Sequence, residues 1–201
     1  MLKPKDSYHH GDLRAALIKA GEAVLAETGV AGFSLRSVAK SVGVSHSAPA
    51  HHFGDAKGLL DALATEGFRR FLAAMQSRQA AEPNKDARQQ LLSSGHGYLD
   101  FAIRSPALFR LMFSTDKPEP KTSELAEAAK AAFMHLADGV ARLRGVSPFE
   151  EPAAMTDVMA IWSTVHGFAD LYIAGRLGPP EGKPVADRDA LLREILDRAM
   201  P

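Results

Sequence analysis

The sequence predicts an all-α chain, and three observations predict it. Apolar residues recur at three- and four-residue steps over long windows. β-Branched residues are few, and alternating apolar/polar runs are short and rare. Proline, glycine and capping residues punctuate the pattern into about nine helices. With 201 residues and 46% hydrophobic content, the chain can bury a sizeable core.

Leu13, Ala16, Leu17, Ala20, Val24 and Leu25 form one stripe of a first helix, which Gly29 and Gly32 end. A second helix is expected from Leu35 to Val42 with Ser34 as N-cap, a third after Ser45 as its cap, and a fourth after Asp55 to about Gln79. Glu82-Pro83-Asn84 breaks the pattern, and Asp86 to Arg104 follows as a fifth helix. Ser105-Pro106 supplies a cap and a first-turn proline for a short helix over Ala107–Phe113. Ser114–Lys121, with two prolines, reads as a loop before a helix over Ser123–Arg144. Ser147-Pro148-Phe149-Glu150 has the pattern of a capping box, so a helix or turn begins there, and Met155–Arg176 is a long apolar helix. Three prolines and two glycines make Leu177–Ala186 irregular, and Asp187 caps a last helix to about Arg198. No internal repeat or low-complexity tract interrupts this order.

Composition excludes several classes of function. Lys and Arg together number 24, as do Asp and Glu, so no net field draws the chain to nucleic acid or membrane, and any DNA contact needs a local patch. The chain has no cysteine, which removes disulfides and thiol chemistry and fits a reducing cytoplasm. Met1–Asp12 has no apolar stretch of signal-peptide length, and no run of about 18 apolar residues occurs, so neither secretion nor a membrane span is expected. A triad, a P-loop and a His-Glu-x-x-His pattern are all missing, which leaves an all-α enzyme as a poorly supported rival.

The segment from Leu35 to Phe53 carries the functional signal. Val38 and Val42 face inward, Ala39 sits where a second helix crosses closely, and Gly43 occupies a turn suited to left-handed backbone. Val44 plugs the corner, and the helix after Ser45 presents its N-terminal residues outward, as a helix-turn-helix does to a major groove. On spacing alone an ordinary helical hairpin explains these residues as well. Pro49 lacks an N–H, but the carbonyl its ring crowds is that of Ser45, so the cost stays within the first turn.

Longer motifs join these residues: Tyr8-His9-His10-Gly11-Asp12-Leu13-Arg14, Phe33-Ser34-Leu35-Arg36-Ser37-Val38-Ala39, Gly43-Val44-Ser45, and His51-His52-Phe53-Gly54-Asp55-Ala56-Lys57-Gly58-Leu59-Leu60. Together they resemble the DNA-binding head of the TetR family of regulators over roughly residues 8 to 70. The resemblance implies a recognition helix over Ser45–Phe53 and a phosphate contact from Lys57. The Ala48-Pro49 pair and the run Trp162-Ser163-Thr164-Val165-His166-Gly167 are similar to one subgroup of that family, with its Trp…His-Gly ligand-binding domain. It implies a homodimeric, ligand-released repressor of double-stranded operator DNA. A helical small-molecule-binding protein with an inert head is the alternative. One departure is Ala50, where most of the family carries a tyrosine that reaches the DNA backbone.

Expected DNA contacts are therefore Ser34, Arg36, Lys40, Ser45, His46, Ser47, Ala48, Ala50, His51, His52 and Lys57. Neutral hydrogen bonds do most of the base reading, and Arg36, Lys40 and Lys57 anchor phosphates. Histidines 9, 10, 46, 51 and 52 invite a metal reading, but His51 and His52 point about 100° apart on a helix, and neither metal nor cofactor is expected. In the C-terminal half Tyr98, Phe101, Met112, Phe113, Phe133, Met134, Trp162 and His166 are candidates to line a cavity for an apolar or amphipathic effector. Phe109, Phe168 and His96 join them as neighbours. Taken singly, each is as well explained as core, His166 included.

The division expected is a head over residues 1–55, a linking fourth helix over about 56–79, and a ligand-binding and dimerisation domain over 80–201. Of Val158, Ile161, Val165, Leu191, Leu192, Ile195 and Leu196 on the last two helices, some bury internally, and the family resemblance implies that the remainder pair with a symmetry mate as a four-helix dimer interface.

Overall fold

The computed structural model describes residues 10–114, 123–177 and 187–200. The two irregular segments expected near 114–121 and 177–186 lie almost wholly outside the described residues, as does most of 1–12. Nine helices and no strand occur among the described residues: α1 (His10–Thr28), α2 (Leu35–Val42), α3 (Ala48–Phe53), α4 (Ala56–Ala81), α5 (Ala87–Arg104), α6 (Pro106–Met112), α7 (Ser123–Arg144), α8 (Pro152–Ile173) and α9 (Arg188–Ala199).

The caps explain most boundaries. Ser34 accepts from the Ser37 N–H, Asp55 from Gly58, Asp86 from Arg88 and Gln89, and Asp187 from Ala190, each satisfying donors that a helix N-terminus leaves unpaired. Gly43 closes α2 at φ 76°, where its N–H reaches the carbonyls of Ala39 and Lys40. Two expectations need correction. The long apolar helix starts at Pro152, three residues before Met155, because Glu151 caps it; Ser147 instead closes a turn by accepting from Glu150 and Glu151. It also ends at Ile173, short of Arg176, because Gly175 takes φ 68°.

Helix α5 is the axis of the larger half. Every residue from Leu91 to Ala102 is buried, with α4, α6, α7, α8 and α9 packed around it. Leu92 and Leu99 are fully enclosed, each worth about 2 kcal/mol of transfer free energy. At the α4–α5 crossing a Cβ on Gly97 would lie 2.5 Å from the Ala74 carbonyl oxygen, so only glycine lets these backbones approach. Polar residues on α5 tie down its neighbours: Asp100 takes Arg78 at 2.7 Å and Arg188 at 3.1 Å, and His96 meets the Asp189 carbonyl at 3.0 Å.

The smaller half packs α1, α2 and α3 against the first turns of α4 over Leu17, Leu25, Val38, Leu59 and Leu63. Helix α4, 26 residues and about 39 Å long, runs from this head into the larger half. Helix α6 also touches both α1 and α4, giving a second bridge.

Candidate DNA-binding head and ligand cavity

Helices α2 and α3 form the two rods of a helix-turn-helix, but the second starts later than the sequence suggests. Ser45 does not cap it. The Ser45 carbonyl accepts from the Ala48 N–H at 3.0 Å in a turn, and the Ser45 hydroxyl pairs with that of Ser47 at 3.2 Å. The helix begins at Ala48 with Pro49 in its first turn, where no intrahelical N–H is required. Pro49 is buried, and its ring helps to seat the helix against the head.

What faces outward follows from that seating. His46, Ser47, Ala50 and His51 are exposed, as are Ser45, Arg36 and Lys40. Ser34, Ala48, His52 and Lys57 are half-buried. Ser34 is occupied as a cap and by the Ser37 hydroxyl at 2.8 Å. The His52 ring lies 6.2 Å from that of Phe53, whose face also carries the Arg14 guanidinium at 5.3 Å. Helix α3 presents no Lys or Arg; the cations that flank it come from α2 and the start of α4. A Cβ on Gly58 would sit 1.9 Å from the Phe53 carbonyl oxygen, so α3 is held hard against α4. Among the described residues no three His, Cys, Asp or Glu side chains converge as a metal site would require.

The larger half encloses a cavity of about 560 Å³. Phe68, Phe71 and Met75 of α4 form one wall; Leu91, Ser94, Gly95 and Tyr98 of α5 form another. Met112 and Phe113 close it at α6, Ile161, Trp162 and Val165 at α8, and Leu196 and Met200 at the end of α9. The α7 wall is Leu125, Ala126, Ala129, Lys130, Ala132, Phe133 and Leu136. Size and lining are those of a small-molecule site.

Of the eight residues expected at such a cavity, Tyr98, Met112, Phe113, Phe133 and Trp162 line it. Phe101, Met134 and His166 do not. Phe101 packs edge-on against Phe71 at 5.4 Å, behind the wall, and Met134 is half-buried on α7, one turn beyond Lys130 and off the lining. His166 stands one layer back, its Nδ1 2.7 Å from the Tyr98 hydroxyl. Phe109 stacks on that imidazole at 5.2 Å, and Phe168 belongs to the core.

These polar tips satisfy one another. Burial pushes the Tyr98 phenol far above its ordinary value, with Trp162 pulling more weakly the other way. The Tyr98 hydroxyl and His166 Nδ1 share one hydrogen bond, in which the phenol donates when the ring carries its proton on Nε2. Burial lowers the His166 pKa against a weaker opposing pull from Asp170, which favours the neutral imidazole. Ser94, the other polar wall residue of α5, meets His135 Nε2 at 3.3 Å; burial first, and then Arg142, lowers the pKa of that ring.

Sequence reasoning missed the α4 wall and Lys130. Phe68, Phe71 and Met75 are spaced by three and four along one helix face, a signal present in the sequence but assigned only to a linker. Five of the seven residues considered for a dimer face, Val158, Ile161, Val165, Leu192 and Leu196, are buried within the chain itself, and Leu191 and Ile195 are half-buried. The exposed face of α8 carries Met159, Ala160, Ser163 and Leu171 instead.

Comparison with known proteins connects both halves to described families. Residues 17–63 match the family model "Bacterial regulatory proteins, tetR family", and residues 91–199 match "Tetracyclin repressor-like, C-terminal domain". The chain is 34% identical over 118 residues to the HTH-type transcriptional regulator BetI of Stenotrophomonas maltophilia, an alignment spanning 59% of this chain and 60% of that protein. A solved structure of a protein of unknown function from Rhodococcus sp. RHA1 is 34% identical, with a TM-score of 0.78 and 97% of both chains covered. A TetR-like transcriptional regulator from the same organism, 15% identical, shares the fold at a TM-score of 0.67 over 98% of this chain and 97% of that one.

Proposed function

Since this chain belongs to the TetR family of bacterial DNA-binding transcriptional regulators, we propose that it is a homodimeric repressor that holds a palindromic operator with its α2–α3 heads and releases it when an apolar effector fills the cavity. The observation that carries this reading is that one helix serves both ends. Helix α4 starts at the helix-turn-helix, with Gly58 against the Phe53 carbonyl, and thirteen residues later its Phe71 is a cavity wall.

Residues 1–55 act as the reading head, α4 as the lever and 80–201 as the sensing and pairing domain. His46, Ser47 and His51 reach base edges, with Ala50 beside them; Arg36, Lys40 and Lys57 meet phosphates. Two heads fit successive major grooves about 34 Å apart, so a tilt of α4 that moves them a few ångströms ends simultaneous contact. Met112 supports the coupling. It lines the cavity from α6, the helix that touches both α1 and α4, and a Cβ on Gly67 of α4 would lie 2.6 Å from its sulfur. A ligand shifts the balance only by binding the released state more tightly. The pairing face is the open side of α8, where Met159 and Leu171 flank Ala160, Ser163 and Gly167, small residues that let a partner helix approach. No helix among the described residues is long and apolar enough to cross a membrane.

A gel shift with the full chain and the DNA upstream of its own gene tests this directly. A retarded band at a single palindrome, protected in footprinting on two half-sites, is the expected result. Absence of any shift at low salt, with the protein folded and dimeric, points to a helical binding protein whose head is inert.

A further inference from the structure

Lys130 stands out on the wall of the cavity. On α7 the lining residues Ala126, Ala129, Phe133 and Leu136 fall at three- and four-residue steps, and Lys130, four residues after Ala126 and three before Phe133, borders that stripe among alanine and phenylalanine. Lys130 and Ala126 are exposed, and the other two lining alanines, Ala129 and Ala132, leave room, so this stretch of wall is where the cavity opens to solvent. Among the described residues no aspartate or glutamate lines the cavity, and none forms an ion pair with Lys130. The deep polar tips are already paired, Tyr98 with His166 and Ser94 with His135, so the interior asks for hydrocarbon and the mouth offers one positive charge.

We propose that the effector is an amphipathic acid: a hydrocarbon body held among Phe71, Phe133 and Trp162, with a single carboxylate meeting the Lys130 ammonium at the mouth. This rests on the reading of the cavity as the effector site. Aromatic walls also suit a quaternary ammonium through cation–π attraction. Lys130 argues against that occupant, because a fixed cation would enter a low-dielectric site that offers a like charge and no carboxylate. A volume of about 560 Å³ falls within the range of sites for small organic ligands.

Three probes with one ten-carbon tail separate these possibilities: decanoate, 1-decanol and decyltrimethylammonium, each below its aggregation threshold at pH 7.5. Trp162 is the chain's single tryptophan and lines the cavity, so its fluorescence reports entry directly. Decanoate is expected to bind about tenfold more tightly than decanol, as a charge-assisted contact allows. In Lys130→Gln that preference for acid over alcohol disappears, and in Lys130→Glu it reverses. Ala129→Trp, which fills the cavity beside the lysine, abolishes the response to acid and alcohol alike, read by calorimetry because it adds a second indole. Equal affinity of acid and alcohol in the unaltered protein overturns the carboxylate inference and leaves the cavity reading standing. So does tighter binding of the ammonium, or a preference that survives Lys130→Gln. If none of the three probes binds, the cavity is not a site for amphiphiles of this size, and both readings fall together.

Discussion

The head and the larger half of this chain solve opposite problems with helices alone among the described residues. In the head, polar side chains point away: His46, Ser47 and His51 are exposed, and beneath them lies a small core of Leu17, Leu25, Val38 and Leu59 drawn from neighbouring turns of chain. In the larger half the polar tips turn toward one another, and the apolar surface that would normally close into a core is held apart around about 560 Å³. A surface meant for a partner is built from local residues, whereas an interior meant for a guest needs walls from six helices between Phe68 and Met200. Rigid crossings must then do in the larger half what dense packing does elsewhere.

Glycines give the sharpest test of that contrast. A Cβ on Gly97 meets backbone, the Ala74 oxygen at 2.5 Å and the Met75 Cα at 2.6 Å, so Gly97→Val must push α4 from α5 and is expected to cost about 3 kcal/mol or more in urea denaturation. Gly43 has nothing within 4 Å and only its φ of 76° to protect, so Gly43→Ala should cost about 1 kcal/mol. Equal losses would erase the distinction between a half held by crossings and a head held by its turns. Next in size is Asp100→Ala. Arg78 and Arg188 lose a largely buried carboxylate that joins α4, α5 and α9, and about 2 kcal/mol should go with it; Arg104, whose side chain is 70% exposed, adds little.

The head's own prediction is read in binding rather than stability. Lys57→Ala should weaken all DNA alike and lower the salt slope by about one, while His51→Ala should cost about 1 kcal/mol at the operator and leave random DNA unchanged. Indistinguishable effects of the two changes would remove the division between anchoring and reading.

The same contrast explains what could be read from the sequence. Caps and turn glycines act over four or five residues, so Ser34, Gly43, Asp55, Asp86 and Asp187 mark boundaries that the structure repeats. Ser45 misled because two serines two residues apart both suit a cap, and only the Ser45–Ala48 turn decides between them. The aromatic membership of the cavity was legible at Trp162, Tyr98 and Phe133, but which side of a wall each residue takes depends on helix rotation, which put Phe101 and Met134 behind it. Lys130 went unread: it interrupts an apolar stripe, but that matters only once the stripe is known to face a void and not a neighbour.

The smallest expected effect comes from protons, and it belongs to the larger half. His166 and His135 have pKa values lowered chiefly by burial, so the folded state resists a proton that the unfolded chain accepts. For groups shifted this way, stability is complete above the ordinary histidine value near pH 6.5 and declines as pH falls through it. Burial alone would raise the Asp100 carboxyl, but the Arg78 hydrogen bond and the charges of Arg78, Arg104 and Arg188 outweigh it and hold it low; its contribution therefore persists until about pH 4 and fails below. Between pH 7.5 and 5 His166 and His135 should act ahead of Asp100, lowering Tm as pH falls. His166→Asn keeps an acceptor for the Tyr98 hydroxyl near the place of Nδ1 while removing the titration. Its Tm should fall less over that interval, His135 supplying what remains. A fall as large as in the unaltered protein would mean that the His166 ring admits a proton without disturbing Tyr98, and the neutral pair at the back of the cavity would no longer explain why the interior is left to hydrocarbon.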